Sequence, residues 1–241
     1  MSLRHLWLLA SVGFASLLCG GSPVLAATAP DLGTAQTFAV LAGSTVTNTG
    51  PSVLDGDLGV WPGIAITGFP PGTVTGTTHA GNAVAQQAQS DLTTAYNDAA
   101  GQACDVDLTG QDLGGMTLTP GAYCFSTSAQ LTGTLNLDAQ GSGSSVFIFQ
   151  IGSTLTTASS SVASLINGGS ECNVFWQVGS SATLGTSSTL VGSILALTDI
   201  TLTTSANLSG RALARNGAVT LDTNTIDQCV VPVELTSFSV E

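Results

Sequence analysis

Few side chains in this 241-residue sequence could do acid–base, nucleophilic or metal chemistry. The pairs Asp55-Gly-Asp57 and Asp105-Val-Asp107 have spacings a calcium ion could use. Neither lies in the dense oxygen-donor loop that calcium repeats require, and both read as turn residues. His79 stands near the start of a helical pattern and reads as a polar helix-terminal residue, not a catalyst. No G-x-S-x-G elbow or phosphate-binding glycine loop occurs. What does recur is hydroxyl. Thr127, Thr157, Thr186, Thr204 and Thr223 share one position when five phrases are aligned: FSTSAQLTGTL from Phe125, LTTASSSVASL from Leu155, LGTSSTLVGSIL from Leu184, LTTSANLSGRAL from Leu202 and LDTNTI from Leu221.

Composition narrows what such columns could serve. The first 26 residues have the layout of a secretory leader: Arg4 and His5, an apolar run from Leu6 to Cys19, then Val24-Leu25-Ala26, with cleavage expected near Ala26. That run is too short and glycine-broken for a membrane span, and bulky Leu18 argues against lipidation of Cys19. The remainder, with a domain over 27–230 and a tail over 231–241, has no lysine. Its cations are Arg211 and Arg215, against all fifteen carboxylates. Nucleic acid is therefore excluded as a partner, since phosphate binding needs clustered basic groups. Only 7% of residues are charged, while Leu, Val, Ile and Phe recur at short intervals. This composition suits a β-rich protein with a hydroxyl-covered surface, not a disordered chain.

Cys104, Cys124, Cys172 and Cys229 remain after the leader, an even number that implies disulfides in an exported chain. Three connectivities are possible. Local pairing, Cys104 with Cys124 and Cys172 with Cys229, is the simplest, each bond contributing about 3–4 kcal/mol through loop entropy. A four-cysteine zinc site would need a C-x-x-C pair, and none is present.

The spacing of the later phrases, Leu184 to Leu202 to Leu221, suits one coil of a three-sided parallel β-solenoid. Each coil buries a few Leu, Ile or Val and stacks on the next at about 4.7–4.9 Å. The longer gap from Leu155 to Leu184 implies an excursion, and the segment from Phe38 resembles a further coil. Between them, Ala80, Val84, Ala88, Leu92, Ala95 and Ala99 recur at threes and fours, predicting a helix over about 79–100, capped by Thr77 or Thr78 and ended by Gly101. Its narrow alanine stripe suits close packing on a sheet. Asp112 to Phe125 reads as a turn and strand returning into the coil, and VFIFQI, Val146 to Ile151, as a strand buried on both sides beneath the helix.

In order along the chain, LGTAQTFAVLAGSTVTNTGPSVLDGDLGV, TGTTHAGNAVAQQAQSDLTTAYNDAAG, LTPGAYCF and the stretch from CNVFWQVG to LDTNTI resemble the ice-binding-like domain family of bacterial and fungal antifreeze proteins. The likeness spans Asp31 to about Cys229. It implies a mainly β fold, an irregular right-handed parallel β-solenoid with one long α-helix alongside. It also implies adsorption to ice, thermal hysteresis and inhibition of recrystallisation, without cofactor or metal. Some members carry a T-A/G-x-T/N phrase on successive coils; the corresponding segments here begin at Thr157, Thr186, Thr204 and Thr223, with Ser or Asn at the second position in three and Ile226 at the fourth position of the last.

Ice is an uncharged lattice of oxygens, so a rigid array of hydroxyls and methyls with little charge matches it, and stiff β-branched side chains keep such an array ordered. The expected face comprises Thr127, Ala129, Thr157, Ser159, Thr186, Ser188, Thr204, Ala206, Thr223 and Thr225. Strict alternation from Leu202 would instead turn Thr203 outward and Thr204 inward, making the column a structural ladder, unless a corner precedes Thr204. The column Ser126, Thr156, Gly185, Thr203 and Asp222 is less uniform, so the Thr204 column is taken as outward. A monomer that touches neither membrane nor nucleic acid is expected. Two rivals are a polysaccharide-cleaving enzyme, for which Arg211 and Arg215 are the only cations, and a secreted adhesin. The adhesin lacks an anchor, although VVPVELTSFSVE resembles the lead-in to a sorting domain.

Overall fold

The computed structural model describes residues 27–229; the expected leader and the C-terminal VVPVELTSFSVE lie outside the described residues. The chain winds through three parallel sheets of nine, seven and eight strands, here A, B and C. Coil one is Phe38–Ala42, Thr45–Thr49 and Val53–Asp55; coil two is Asp57–Val60, Ala65–Thr67 and Thr73–Val74. The chain then leaves for the helix and returns through Val106–Asp107 and Thr117–Leu118. Coil three is Gly121–Phe125, Ala129–Leu131 and Thr134–Asp138, and coil four Phe147–Ile151, Leu155–Thr157 and Val162–Ile166. Coils five, six and seven begin at Val174, Ser193 and Ala212.

The later coils stack in chain order, and Leu184, Leu202 and Leu221 are in register as their spacing predicted. Coil one stacks on coil seven: Val40 pairs with Ala212, Val46 with Val219, and Leu54 with Ile226. Coil two then lies outside coil one. The interior is mainly aliphatic, with Phe125 and Phe147 beside an aromatic ladder in which Tyr123, Phe149 and Trp176 stack at 5.5 and 3.9 Å between ring centres. The Trp176 indole N–H is satisfied by the Val191 carbonyl at 2.8 Å.

Corners are built from small residues. At the turn from sheet C to sheet A, a Cβ on Gly210 (φ +152°) would sit 2.0 Å from the Gly192 carbonyl oxygen, so only glycine lets these coils approach. At the turn from B to C, Ser160, Ser187, Ser205 and Thr223 all have φ of 56–60°. Beneath them Ser161, Ser188, Ala206, Asn224 and Ser52 point inward and are buried.

The helix runs from Ala83 to Gly101, capped by the Asn82 side chain, which accepts from Ala85 N–H at 3.0 Å. It starts later than the expected 79 because Thr78–Ala80 is a strand, paired with Leu58–Val60. His79 therefore lies in that strand, beside Asn82 and tilted on Phe38. The buried stripe is Ala85, Ala88, Gln89, Leu92, Ala95, Tyr96 and Ala99; Val84 faces solvent. It packs on the outward residues of sheet A, including Leu41, Ile148, Phe175, Leu195 and Leu213. Sheet A is thus buried on both faces, which is why Phe147–Ile151 is apolar except for Gln150, whose amide donates to the carbonyls of Ala99 and Gln102 at the helix end.

Both disulfides have the locally paired connectivity, Cys104–Cys124 and Cys172–Cys229. Cys172 sits in the excursion before coil five and ties it to the end of coil seven. Arg211, 2% exposed, clamps the same region: its guanidinium donates to the carbonyls of Gln36 and Cys229. Burial lowers its pKa to about 10, which still leaves it charged at neutral pH.

Candidate functional site on the threonine face

With sheet A covered, sheets B and C offer the broad outer surfaces. Strands alternate their side chains, so in the three-residue sheet B strands of coils three to six the middle residue faces out while its neighbours fill the coil. In Ala65–Thr67 the ends face out and Ile66 packs inward. The apolar-threonine-apolar triplets Ala182-Thr183-Leu184, Ile200-Thr201-Leu202 and Val219-Thr220-Leu221 follow from this. In register across sheet B, the outward residues read Gln130, Thr156, Thr183, Thr201, Thr220, Thr47 and Thr67. Six of the seven strands therefore contribute threonine, at a coil spacing of about 4.8 Å. No register shift interrupts the column.

The hydroxyls of Thr47, Thr156, Thr183, Thr201 and Thr220 make no hydrogen bond to protein among the described residues, whereas Thr67 leans on the Val46 carbonyl at 3.5 Å. Thr45 extends the face by a second position on its strand, about 6.7 Å away. Asp199 is the exposed charge at the near edge, where it accepts from Ala218 N–H at 2.8 Å. Sheet C differs. Its outward positions mix Val53, Thr225, Asn207, Thr189, Val162 and Thr134. Asp55, Asp138 and Asp227 project from the same sheet. The Asn167 side chain, donating to Asp138, holds that carboxyl below the usual carboxylate range and so keeps it charged.

The residues expected from the repeats fall elsewhere. Ala129, Thr157, Ser188 and Ala206 are buried inside the coil. Thr157 faces inward because it ends its strand: its hydroxyl accepts from Gly185 N–H at 2.9 Å and donates to Ser188 Oγ at 3.2 Å. Ala206 is part of the core. Ser159, Thr186, Thr204 and Thr223 lie in the turn from B to C, so a corner does precede Thr204, but it carries the column onto an edge. Thr204 and Thr223 both bond the Asp222 carboxylate there. Thr225 is on sheet C, and Thr127 lies at the opposite corner, between A and B. The earliest repeats were misaligned: Leu155 is in register with Ala182, not Leu184, and Phe125 belongs to sheet A. Reading the residue before Leu184, Leu202 and Leu221 would have found three members of the outward column, Thr183, Thr201 and Thr220.

Of Asp55, Asp57, Asp105 and Asp107, only Asp105 lies in a bend; Asp55 and Asp107 end strands and Asp57 begins one, so the four carboxylates sit at strand ends beside the corners. They accept from Thr75 Oγ1 and from the backbone N–H of Thr77, Ala122 and Thr109. No cluster of three or more His, Cys, Asp or Glu is placed to hold a metal among the described residues. The site is a grid of methyl and hydroxyl groups with carboxylates only at its margins, Asp199 on one side and Asp222 on the other, suited to ordering water or meeting a regular neutral surface.

Comparison with known proteins gives a concordant answer. The ice-binding-like family model matches residues 40–227. An ice-binding protein of Nostoc sp. (strain HG1) is 56% identical over 224 residues, spanning 92% of this chain and 82% of the relative. The crystal structure of an ice-binding protein from an Antarctic biological consortium superposes with a TM-score of 0.83 at 48% identity, covering 85% of this chain and 93% of that one. That of the Antarctic ascomycete Antarctomyces psychrotrophicus does so with a TM-score of 0.82 at 43% identity, over 85% and 100%. Fold, register and kinship agree, and the chain belongs to the ice-binding-like family.

Proposed function

We propose that this chain binds ice through sheet B, with Thr47, Thr67, Thr156, Thr183, Thr201 and Thr220 as the central column of contact. The observation that carries the reading is the unbroken register of these threonines across the sheet. Coil stacking sets one repeat of the grid and the two-residue strand period sets the other, at about 4.8 and 6.7 Å. β-Branching restricts χ1 of each threonine, so methyls and hydroxyls are limited to few positions. Water between the methyls then hydrogen-bonds to the hydroxyls in a lattice-like arrangement that freezes onto the crystal. Charge would hold water in a different order, which places the carboxylate-bearing sheet C outside the contact.

Hysteresis and inhibition of recrystallisation follow from adsorption, because growth between bound molecules must proceed over curved fronts. The reading needs no catalytic group. It fits an exported monomer: both disulfides are formed, and among the described residues no helix is long and apolar enough to cross a membrane.

Fluorescently labelled protein on a single-crystal ice hemisphere tests binding and reports the plane. Thr201→Tyr should abolish labelling and ice shaping with an unchanged circular dichroism spectrum, because the ring breaks the grid without entering the core. Thr204→Tyr, at the corner, should retain both. The reverse ranking would move the contact to the corner.

A further inference from the structure

We propose that a groove between the helix and the corner joining sheets A and B is a binding subsite for a uronate residue of an acidic polysaccharide. The groove encloses about 500 Å³ and is lined by Trp61, Gln86, Gln89, Ser90, Arg215 and Asn216, among others. None of these residues belongs to the threonine column.

The cation is pre-set for a ligand. The Arg215 guanidinium lies over the Tyr96 ring at 4.6 Å, which fixes its plane, and its Nε donates to Thr93 Oγ1 at 3.3 Å. Both terminal nitrogens are left without a hydrogen-bond partner among the described residues. Two parallel N–H groups on a fixed plane match a carboxylate. This is an unusual use of charge in a sequence with only 3 Lys and Arg against 15 Asp and Glu. Arg211, by contrast, is buried and committed to backbone carbonyls.

The remaining lining suits a sugar ring more than a bare anion. Trp61 comes from the corner of coil two and Arg215 from that of coil seven, with Gly43 of coil one between them. Gly43 leaves that middle position without a side chain, since a Cβ there would lie 2.4 Å from the Arg215 carbonyl oxygen. The backbones of Trp61 and Arg215 thus stand about two coil spacings, roughly 10 Å, apart, and both side chains line the groove. An indole at that place offers an apolar wall to the C–H face of a pyranose. Gln89 is 5% exposed; its Nε2 donates to the Ala214 carbonyl at 3.0 Å, while its Oε1 has no partner among the described residues. With Gln86, Ser90 and Asn216 it supplies acceptors and donors for ring hydroxyls.

Calorimetric titration of the full chain with a galacturonate oligosaccharide tests the assignment, with a neutral galactose oligosaccharide, inorganic phosphate and a glutamate peptide as comparisons. Saturable binding of the galacturonate alone is the expected result. Arg215→Gln and Trp61→Ala should each weaken it by about tenfold or more. Gln86→Glu keeps the fold safe, because it adds a carboxylate to the first turn of the helix, where negative charge is favourable. It should weaken uronate binding to a similar degree while ice shaping stays at the level of the unsubstituted chain. Equal binding of phosphate or peptide, equal binding of the neutral sugar, or indifference to all three substitutions would overturn the proposal. None of these results bears on adsorption to ice, which the hemisphere experiment reads separately.

Discussion

Thr156 and Thr157 are adjacent in sequence and opposite in consequence. Thr156 projects from sheet B with its hydroxyl unpaired, whereas Thr157 points into the coil and bridges Gly185 and Ser188. Thr157→Val keeps the shape but leaves the Gly185 N–H and the Ser188 hydroxyl without that partner. Urea unfolding should register a loss of about 1–3 kcal/mol, with ice shaping retained at temperatures where the variant is folded. Thr156→Val should leave stability within about 0.5 kcal/mol and lower hysteresis. This contrast also measures how far the site was legible. Alternation about Leu202 turns Thr201 outward, so the period of two held the answer within the strand, although it fails at Thr204, which the corner leaves exposed. The corner carries no local signal, because Ser160, Ser187 and Ser205 adopt positive φ where a glycine would mark the turn. Inward hydroxyls hold the coil together, as the Thr157 and Ser52 bonds do.

The helix shows how an element of low apolarity is held. Its stripe is mostly alanine, which permits close approach to sheet A, and Leu92 is its one large aliphatic group in that contact. Leu92→Ala should cost about 2–5 kcal/mol, read from chemical denaturation, since the alanines around it cannot fill the space. Asp91, next to it, accepts from the N–H and hydroxyl of Thr34 and so ties the helix to the short 3-10 turn at Gly33–Thr37. The Thr34 bonds lower its pKa from 3.8, so the unfolded chain binds the proton more readily. The stability this bond contributes is therefore full above pH 3.8 and is lost as pH falls through the lower folded value. Asp91→Asn should be less stable at pH 7 and show a shallower decline below pH 4, measured as melting temperature against pH. The helix was legible from its three-and-four spacing to within four residues at its start. The shift came from Thr78–Ala80, whose pairing with coil two no local pattern declares.

At the scale of the molecule, the order of stacking decides how large the binding face is. Five consecutive coils would give five strands on sheet B; docking coils one and two beyond coil seven extends it to seven and adds Thr47 and Thr67 to the column. A pattern of repeats shows that the N-terminal segment is a coil, but not which coil it meets, because any coil edge offers the same hydrogen bonds and apolar floor. The seam between coils one and seven joins residues far apart in sequence: Ser52 accepts from Asn224 N–H at 2.9 Å across 172 positions. Ser52 is fully buried, and it also donates to Asn48. Closing such a contact costs chain entropy that later stacking must offset, which makes the seam the expected point of first opening. Arg211 and the Cys172–Cys229 bond, both at that end, are placed to oppose it. Ser52→Ala leaves the Asn224 N–H unsatisfied and should destabilise by about 1–3 kcal/mol. Hydrogen exchange should then speed up in coils one and two while coils four to six keep their protection. Hysteresis should fall although every threonine is still present, because the two outer members of the column spend part of their time detached. Uniform exchange across all coils would mean that the solenoid opens as one unit, and that its face is rigid to the last row.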